Sequence, residues 1–207
     1  MIDFYTWSTP NGRKVAIMLE ESCLDYKTHP VNIANQEQFS KGFLKIAPNN
    51  KIPAIVDNDA PGGPVSVFES GAILTYLADK SGQYLSKEAG QRAQELQWLY
   101  WQVAGYGPML GQLYHFAGLD RDDAAYGLER FTNEAKRLHD VLDAQLAANT
   151  YVAGDYSIAD MAILPWTIAA LDQLEQRTEQ SWKNVRRWMD QVRERPAVGR
   201  GLLSPES

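Results

Sequence analysis

The sequence contains few residues with thiol or imidazole side chains. Cys23 is its one cysteine, and His29, His115 and His139 are its three histidines, in a chain of 207 residues. A lone cysteine cannot form an internal disulfide, and histidines this far apart in sequence do not have the spacing of a metal-ligand cluster. We therefore expect neither a disulfide framework nor a structural metal.

Long apolar runs and an excess of positive charge are also missing. No stretch is long and apolar enough to span a bilayer, and the start, Met1 to Tyr5, lacks the cationic segment of a signal peptide. The formal net charge is -6 and the pI is about 5.1, so a nucleic acid or an anionic membrane surface would be repelled. We expect a cytoplasmic protein that binds neither nucleic acid nor membrane.

The pattern of apolar residues changes near residue 82. Before it, strand-like and helical runs predict a βαβ unit, a helix, a β-hairpin and a final helix, over 2–6, 11–23, 27–31, 36–46, 54–56, 65–68 and 70–80. After it come long amphipathic patterns, over 88–116, 124–148, 158–171 and 182–195. The sequence therefore predicts an α/β domain over 1–82 and an all-helical domain over 88–207.

The turn after the first strand reads Trp7-Ser8-Thr9-Pro10-Asn11-Gly12. In thioredoxin-like folds this turn meets the first helix, whose unpaired N–H groups and dipole stabilise an anion such as a thiolate. Thr9 suits the N-cap and Pro10 the first helical position. Redox members of the fold place a cysteine here, but this turn has none, so a thiol must come from a ligand. Capping and turn formation alone would also explain Thr9 and Asn11.

Cys23 offers a competing source of thiol chemistry. Val15, Leu19 and Cys23 follow one another at intervals of four, which places the thiol on the apolar face, at the far end of the helix. We expect a buried structural cysteine and not a nucleophile.

A second motif, Asn49-Asn50-Lys51-Ile52-Pro53-Ala54-Ile55, begins a predicted strand with a proline. Proline removes one ladder donor and suits a sheet edge, where the Ile52 N–H and C=O groups can pair with a peptide-like ligand. A cis Ile52–Pro53 bond would present these groups outward. An ordinary trans proline at a strand start is the alternative.

A third motif, Phe68-Glu69-Ser70, precedes the next predicted helix. Ser70 suits the N-cap, the free N–H groups there would hold a carboxylate, and Glu69 could accept from an ammonium group. Together they complement an amino-acid head group. Taken alone, the motif is more often a capped helix than a binding site.

The three motifs, in this order before an all-helical half, resemble the glutathione transferases along essentially the full chain. Ser157-Ile158-Ala159-Asp160 is similar to the family's N-capping box. The stretch from Gln97 to Gln112 resembles the nu class and its relative, the yeast nitrogen regulator. The resemblance implies a thioredoxin-like N-terminal domain and an all-α C-terminal domain.

The resemblance also implies residue roles. Other classes of the family use a tyrosine or serine hydroxyl from this region, so Tyr5 and Ser8 are also candidates to handle the sulfur. Thr9 and Asn11 are expected to do so because they flank Pro10 at the helix N-terminus, while Tyr5 lies within the strand. The glutathione contacts are expected to be Asn11, Gln38, Lys51, Ile52, Pro53, Glu69, Ser70 and, from the helical domain, Arg130. Lys51 is included on charge grounds, as a partner for the glycyl carboxylate. Gly105 and the pair Gly107-Pro108 should kink the helix over 88–116 and open a substrate pocket lined by Tyr106 and Tyr114.

The function implied is a glutathione-dependent disulfide-bond reductase, with one or two glutathione molecules or one glutathione disulfide per subunit. Peroxidase or weak conjugating activity is also compatible with a bound thiolate. Conjugation of electrophiles as the main activity, and a non-catalytic glutathione-binding regulator, remain alternatives. The resemblance and the aromatic-rich helix predict a homodimer.

Overall fold

The structure, a computed structural model, describes residues 1–120 and 124–205. The chain folds into two compact units: unit 1 contains Met1–Leu85 and the segment from Glu194 onward, and unit 2 contains Ser86–Arg193. This division differs from the predicted boundaries, which placed all of 88–207 in the helical domain. That predicted range also includes 121–123 and 206–207, which lie outside the described residues.

Unit 1 is built on a four-stranded mixed sheet. The strands are β1 (Ile2–Thr6), β2 (Tyr26–Pro30), β3 (Ala54–Asp57) and β4 (Val65–Phe68), in the spatial order β2-β1-β3-β4. β1 is parallel to β2 and antiparallel to β3, and β3 is antiparallel to β4. The predicted βαβ unit and hairpin are confirmed.

The helices of unit 1 are α1 (Pro10–Glu21), α2 (Lys41–Leu44), α3 (Ser70–Ser81) and, from the end of the chain, α9 (Pro196–Leu203). α1 packs against both α3 and α9, and its apolar run from Val15 to Leu19 is completely buried. α9 lies so close to α1 that a Cβ on Gly201 would come within 2.6 Å of the Ile17 backbone. This packing is why the segment from Glu194 onward belongs to unit 1.

The predicted single helix over 36–46 is wrong. Two short 3₁₀ turns, Ile33–Asn35 and Glu37–Phe39, precede the one-turn α2. Gln36 is left-handed, with φ 60°, and Ser40 is extended, with ψ 143°. Each of these residues interrupts helical hydrogen bonding.

Unit 2 is helical over most of its described length. Its helices are α4 (Ala89–Trp101), α5 (Gly107–Ala117), α6 (Ala125–Ala147), α7 (Ile158–Thr178) and α8 (Lys183–Arg193). A π-helical turn over Gln102–Tyr106 lies between α4 and α5, at the place where the sequence predicts a kinked or weakened helix. In the described residues, no helix has both the length and the hydropathy that crossing a membrane requires.

Candidate functional site

The turn between β1 and α1 has the geometry that its residue types predict. Thr9 is the extended N-cap residue of α1, Pro10 is the first helical residue, and the Thr9 hydroxyl oxygen accepts a 3.1 Å hydrogen bond from the Gly12 N–H group. Because this oxygen is already an acceptor within the turn, its proton is directed elsewhere. The Thr9 hydroxyl can therefore donate to an anion at the helix N-terminus.

Gly12 allows the start of α1 to lie against the end of β1. A Cβ atom at this position would lie 2.4 Å from Thr6 Oγ1 and 2.5 Å from the Trp7 carbonyl oxygen. Distances this short are far inside van der Waals contact, so the turn requires glycine here. Neighbouring Ser8 is exposed, and its hydroxyl accepts from Arg13 Nη2 at 3.3 Å.

Tyr5 lies in β1, and its side chain interacts with a residue of the neighbouring strand β2. Its ring stacks on His29 with a centroid distance of 4.8 Å and an interplanar angle of 16°. Burial, with a smaller effect of the Asp3 carboxylate, raises the pKa of the Tyr5 hydroxyl. A raised pKa makes Tyr5 a poorer proton donor to a thiolate.

The segment before β3 carries the second motif. Its Ile52–Pro53 peptide bond is cis, and the partly exposed Ile52 packs on the small core of Val31, Phe43, Ala47 and Ala54. Lys51 is exposed. Gln38, in the preceding 3₁₀ turn, has a buried Oε1 atom with no hydrogen-bond partner in the part of the chain that the structure describes.

At the start of α3 the structure corrects one prediction. The N-cap residue is Glu69, and Ser70 is the first helical residue. Glu69 adopts φ 72° and ψ 119°, a region that non-glycine residues rarely occupy and that is frequent at functional sites. Its side chain does not cap the helix, but accepts from Asn49 Nδ2 at 3.3 Å. The first-turn N–H groups are therefore left to other partners.

The strand register brings the three motifs to one edge of the sheet, defined by the ends of its strands. β3 itself lies between β1 and β4, so it is not the outer strand that Pro53 predicted. Tyr5 pairs with Ala54, and Ala54 pairs with Phe68. The turn after β1, the segment before β3 and the start of α3 consequently adjoin one another. Two helix N-termini, those of α1 and α3, are the anion-stabilising elements at this edge.

Two residues of this edge had no predicted role. Lys14 is only 2% exposed, and its Nζ atom lies 3.4 Å from Ser70 Oγ. Asn49 belongs to the second motif, and its side-chain amide donates to Glu69. The available signal for Lys14 was a charged residue immediately before five apolar residues of one helix.

The prediction that Cys23 is buried is wrong. The residue is exposed, its φ is 52°, and it lies beyond the end of α1. The spacing of four from Leu19 assumed that the helix continues, but α1 ends at Glu21. Cys23 lies at the C-terminal end of α1, opposite to the Thr9 turn. Within the described ranges, no group of His, Cys, Asp or Glu side chains is arranged to hold a metal ion.

The two tyrosines of unit 2 that were predicted to line a substrate pocket lie in different environments. Tyr106 is completely buried, and its hydroxyl lies 3.0 Å from His139 Nε2 and 2.9 Å from Thr167 Oγ1. This placement makes it a core residue and does not support the prediction that it lines a substrate pocket. Tyr114 is 71% exposed and borders a recess of about 20 Å³, too small for a ligand by itself.

Arg130, on α6, is exposed and lines a cleft within unit 2. The cleft has a volume of about 830 Å³. Arg137, on its wall, forms an ion pair with Glu134 at 2.7 Å, while Arg130 presents a further guanidinium group. The other lining residues are Met109, Tyr126, Glu129, Phe131 and Asn133.

Comparison with known proteins adds independent findings. Residues 2–79 match the family described as glutathione S-transferase, N-terminal domain, and residues 114–196 match glutathione S-transferase, C-terminal domain. The chain is 47% identical over 210 residues to the disulfide-bond oxidoreductase YfcG of Escherichia coli K12, covering 100% of this chain and 96% of YfcG.

Two solved structures are similar over almost the whole chain. A glutathione transferase from Pseudomonas putida, with one glutathione disulfide bound per subunit, has a TM-score of 0.93 and 46% identity, covering 99% of this chain and 91% of that one. A family member from Pseudomonas fluorescens, with two glutathione molecules bound, has a TM-score of 0.92 and 45% identity, with coverages of 97% and 92%.

Proposed function

Because this chain belongs to the glutathione S-transferase family, we propose that it is a glutathione-dependent disulfide-bond reductase. The family and the fold predicted from the sequence are both confirmed. The relative YfcG carries the name of this activity, and the two similar structures hold glutathione or its disulfide.

One observation carries the proposal: the anion site at the start of α1 has no thiol of its own. Thr9 caps the helix, and the turn contains no cysteine. Cys23 lies at the other end of the helix. The reacting sulfur therefore comes from glutathione, and the protein's task is to favour its thiolate. Lowering a thiol pKa by two units corresponds to about 2.7 kcal/mol.

The reaction uses two glutathione molecules. The first thiolate attacks one sulfur of the disulfide substrate, forms a mixed disulfide, and displaces the other substrate sulfur as a thiolate that takes up a proton. The second glutathione thiolate attacks the glutathione sulfur of the mixed disulfide. Glutathione disulfide forms and the second substrate thiol leaves. The two glutathione molecules supply both electrons and are oxidised, while the substrate disulfide is reduced.

The residues at the sheet edge suit the parts of the tripeptide. The Thr9 hydroxyl, with Asn11 in the first turn of α1, serves the thiolate. Ile52, before Pro53, offers backbone groups to the cysteinyl segment, while Lys51 suits the glycyl carboxylate and Gln38 Oε1 offers a buried acceptor. Glu69 and Ser70 suit the ammonium and carboxylate of the γ-glutamyl group. The role of Arg130 remains a prediction from the family resemblance.

The proposal is tested by measuring reduction of hydroxyethyl disulfide with glutathione as the reductant. We expect turnover by the wild type, and turnover within a few-fold of it by Cys23→Ser. Loss of activity in a folded Cys23→Ser variant would make Cys23 the nucleophile. Conjugation of 1-chloro-2,4-dinitrobenzene without disulfide reduction would indicate a conjugating transferase. Glutathione binding with neither activity would indicate a regulator.

We also propose that the protein is a homodimer in the cytoplasm. Three tyrosines of unit 2, Tyr100, Tyr114 and Tyr126, are 61%, 71% and 72% exposed, and aromatic side chains are enriched in protein interfaces. Sedimentation at micromolar concentration should give twice the chain mass of 23.3 kDa. A single species at the chain mass would contradict the dimer.

A further inference from the structure

Lys14 is a charged residue in a buried, largely apolar environment. It precedes the buried run from Val15 to Leu19, on the part of α1 that packs against α3, and it is 2% exposed. Its Nζ atom lies 3.4 Å from the hydroxyl oxygen of Ser70, which is itself 8% exposed. The ammonium group is thus directed at the first residue of α3.

Packing does not explain a lysine at this position. Burying an ammonium group carries a free-energy penalty because the charge loses its hydration. A methionine has a similar length and would fill the same space without that penalty. Burial accordingly lowers the pKa of Lys14 to about 7, against the smaller opposing effect of the Glu69 carboxylate. A costly charge at the edge of a binding site indicates a role in binding.

The charges around Lys14 are compatible with a further anion. Glu69, at the start of α3, is a carboxylate that acts on Lys14, and it also accepts from Asn49. Two arginines form ion pairs at the far end of α1. Arg200, on α9, is paired with Glu20, and Arg195, immediately before α9, is paired with Glu21.

Arg13, beside Lys14 in sequence, bonds to the exposed Ser8. The positive end of the α3 dipole adds to the ammonium charge. The Lys14 ammonium group and the N-terminus of α3 together favour the binding of a carboxylate at Ser70.

We propose that Lys14 is a positioning residue for the α-carboxylate of the γ-glutamyl group of glutathione, acting through Ser70. The inference rests on the proposed function, since it concerns the same glutathione site. Lys14 Nζ donates to Ser70 Oγ, which turns the Ser70 hydroxyl proton outward. That proton then donates to the ligand carboxylate, and the ammonium charge behind it strengthens the bond.

The experiment compares two ligands that differ at this carboxylate alone. S-methylglutathione has no thiol to titrate, and its partner carries a carboxamide in place of the γ-glutamyl α-carboxylate. Calorimetry measures both affinities for the wild type, Lys14→Met and Lys14→Arg. We expect Lys14→Met to weaken S-methylglutathione binding about tenfold, which is the scale of one charge-assisted interaction. The carboxamide should change less than about twofold.

Lys14→Arg, which keeps the charge, should restore part of the preference for the carboxylate. Lys27→Met is the matched control, since it removes one exposed lysine on β2 and alters the net charge equally; it should behave as the wild type. The unliganded Lys14→Met protein should melt at or above the wild-type temperature. Equal weakening of both ligands, or of neither, would overturn the inference.

A second measurement follows the titration of Lys14. Wild-type affinity for S-methylglutathione should fall between about pH 6 and about pH 8, as the ammonium charge of Lys14 is lost, and Lys14→Met should lack most of this fall. Equal falls in the wild type and in Lys14→Met would overturn the inference. A wild type that binds neither ligand would overturn the proposed function as well, whereas binding that Lys14→Met leaves unchanged would overturn the inference alone.

Discussion

The indole N–H group of Trp188 donates a 2.8 Å hydrogen bond to Asp160 Oδ1, and both side chains are completely buried in unit 2. The same carboxylate accepts from the Val152 N–H group at 3.0 Å and from the Ser157 N–H group at 3.0 Å. Asp160 therefore joins the start of α7 to the preceding loop and to α8. The capping box predicted from the sequence is confirmed, but it is only one part of this arrangement.

Replacement of Asp160 by alanine should lower the free energy of unfolding by about 3 kcal/mol. The capping box alone accounts for about 1 kcal/mol, and the remaining loss comes from donors left buried without an acceptor. Thermal melting measures the effect. Asp155→Ala, at an exposed position nearby, should be close to neutral. An unchanged melting temperature in Asp160→Ala would contradict the prediction.

His139 should make the stability of the protein depend on pH. Burial lowers the pKa of His139 to about 4, below its ordinary value of about 6.5. Between these two values the unfolded chain binds a proton that the folded chain does not. The resulting stabilisation is complete above about pH 6.5 and is lost as the pH falls towards 4, by about 3 kcal/mol in all.

Denaturant unfolding at a series of pH values measures this dependence. In His139→Gln, the free energy of unfolding lost between about pH 6.5 and about pH 4 should be smaller than in the wild type by about 3 kcal/mol. His115→Gln, at an exposed position, should keep the wild-type slope. Identical slopes in the wild type and His139→Gln would assign the dependence to other groups.

Thr9→Ala and Asn11→Ala should each slow disulfide reduction by about tenfold to a hundredfold. Hydrogen bonds to a charged group contribute roughly 1.5 to 3 kcal/mol, which corresponds to this range. Thr9→Ser keeps the hydroxyl and should retain most activity. Tyr5→Phe and Ser8→Ala should have small effects. If Ser8→Ala abolished turnover while Thr9→Ala preserved it, the chemistry would be that of a serine-type transferase.

Gly12→Ala should damage both folding and turnover. The added Cβ would meet Thr6 Oγ1 and the Trp7 carbonyl oxygen at about 2.4 and 2.5 Å, and overpacking of this kind typically costs about 1 to 3 kcal/mol. Because the Thr9 turn must shift to relieve the overlap, kcat should also fall. Gly42→Ala, with no atom within 4 Å of the added Cβ, is the matched control. Equal stability and turnover in the two variants would contradict the prediction.

Local signals in the sequence predicted most elements of the fold. Thr9 and Pro10 at the start of α1, and the box at Ser157, depend on neighbouring residues alone, so their geometry could be predicted. The helix predicted over 36–46 failed because Gln36 adopts a left-handed conformation that its residue type does not require. α9 was absent from the prediction, since it is short and its place is set by packing on α1.

The candidate site was only partly predictable for a related reason. Each motif had a local explanation, and only the register of β1, β3 and β4 brings the three together. Tyr106 is buried, and its hydroxyl is hydrogen-bonded to His139 and Thr167. Both partners are distant in sequence, so this environment could not be predicted from neighbouring residues. The role inferred for Lys14 likewise depends on its hydrogen bond with Ser70, which lies on another helix.

The packing of α9 on α1 also constrains the order in which the chain can fold during its synthesis on the ribosome. Unit 1 takes Met1–Leu85 from the start of the chain and the segment from Glu194 onward from its end. The surface of α1 around Ile17 therefore stays uncovered until Ser86–Arg193 has been translated. Nascent unit 1 exposes apolar surface throughout that interval, and such surface is a binding site for chaperones and a cause of aggregation.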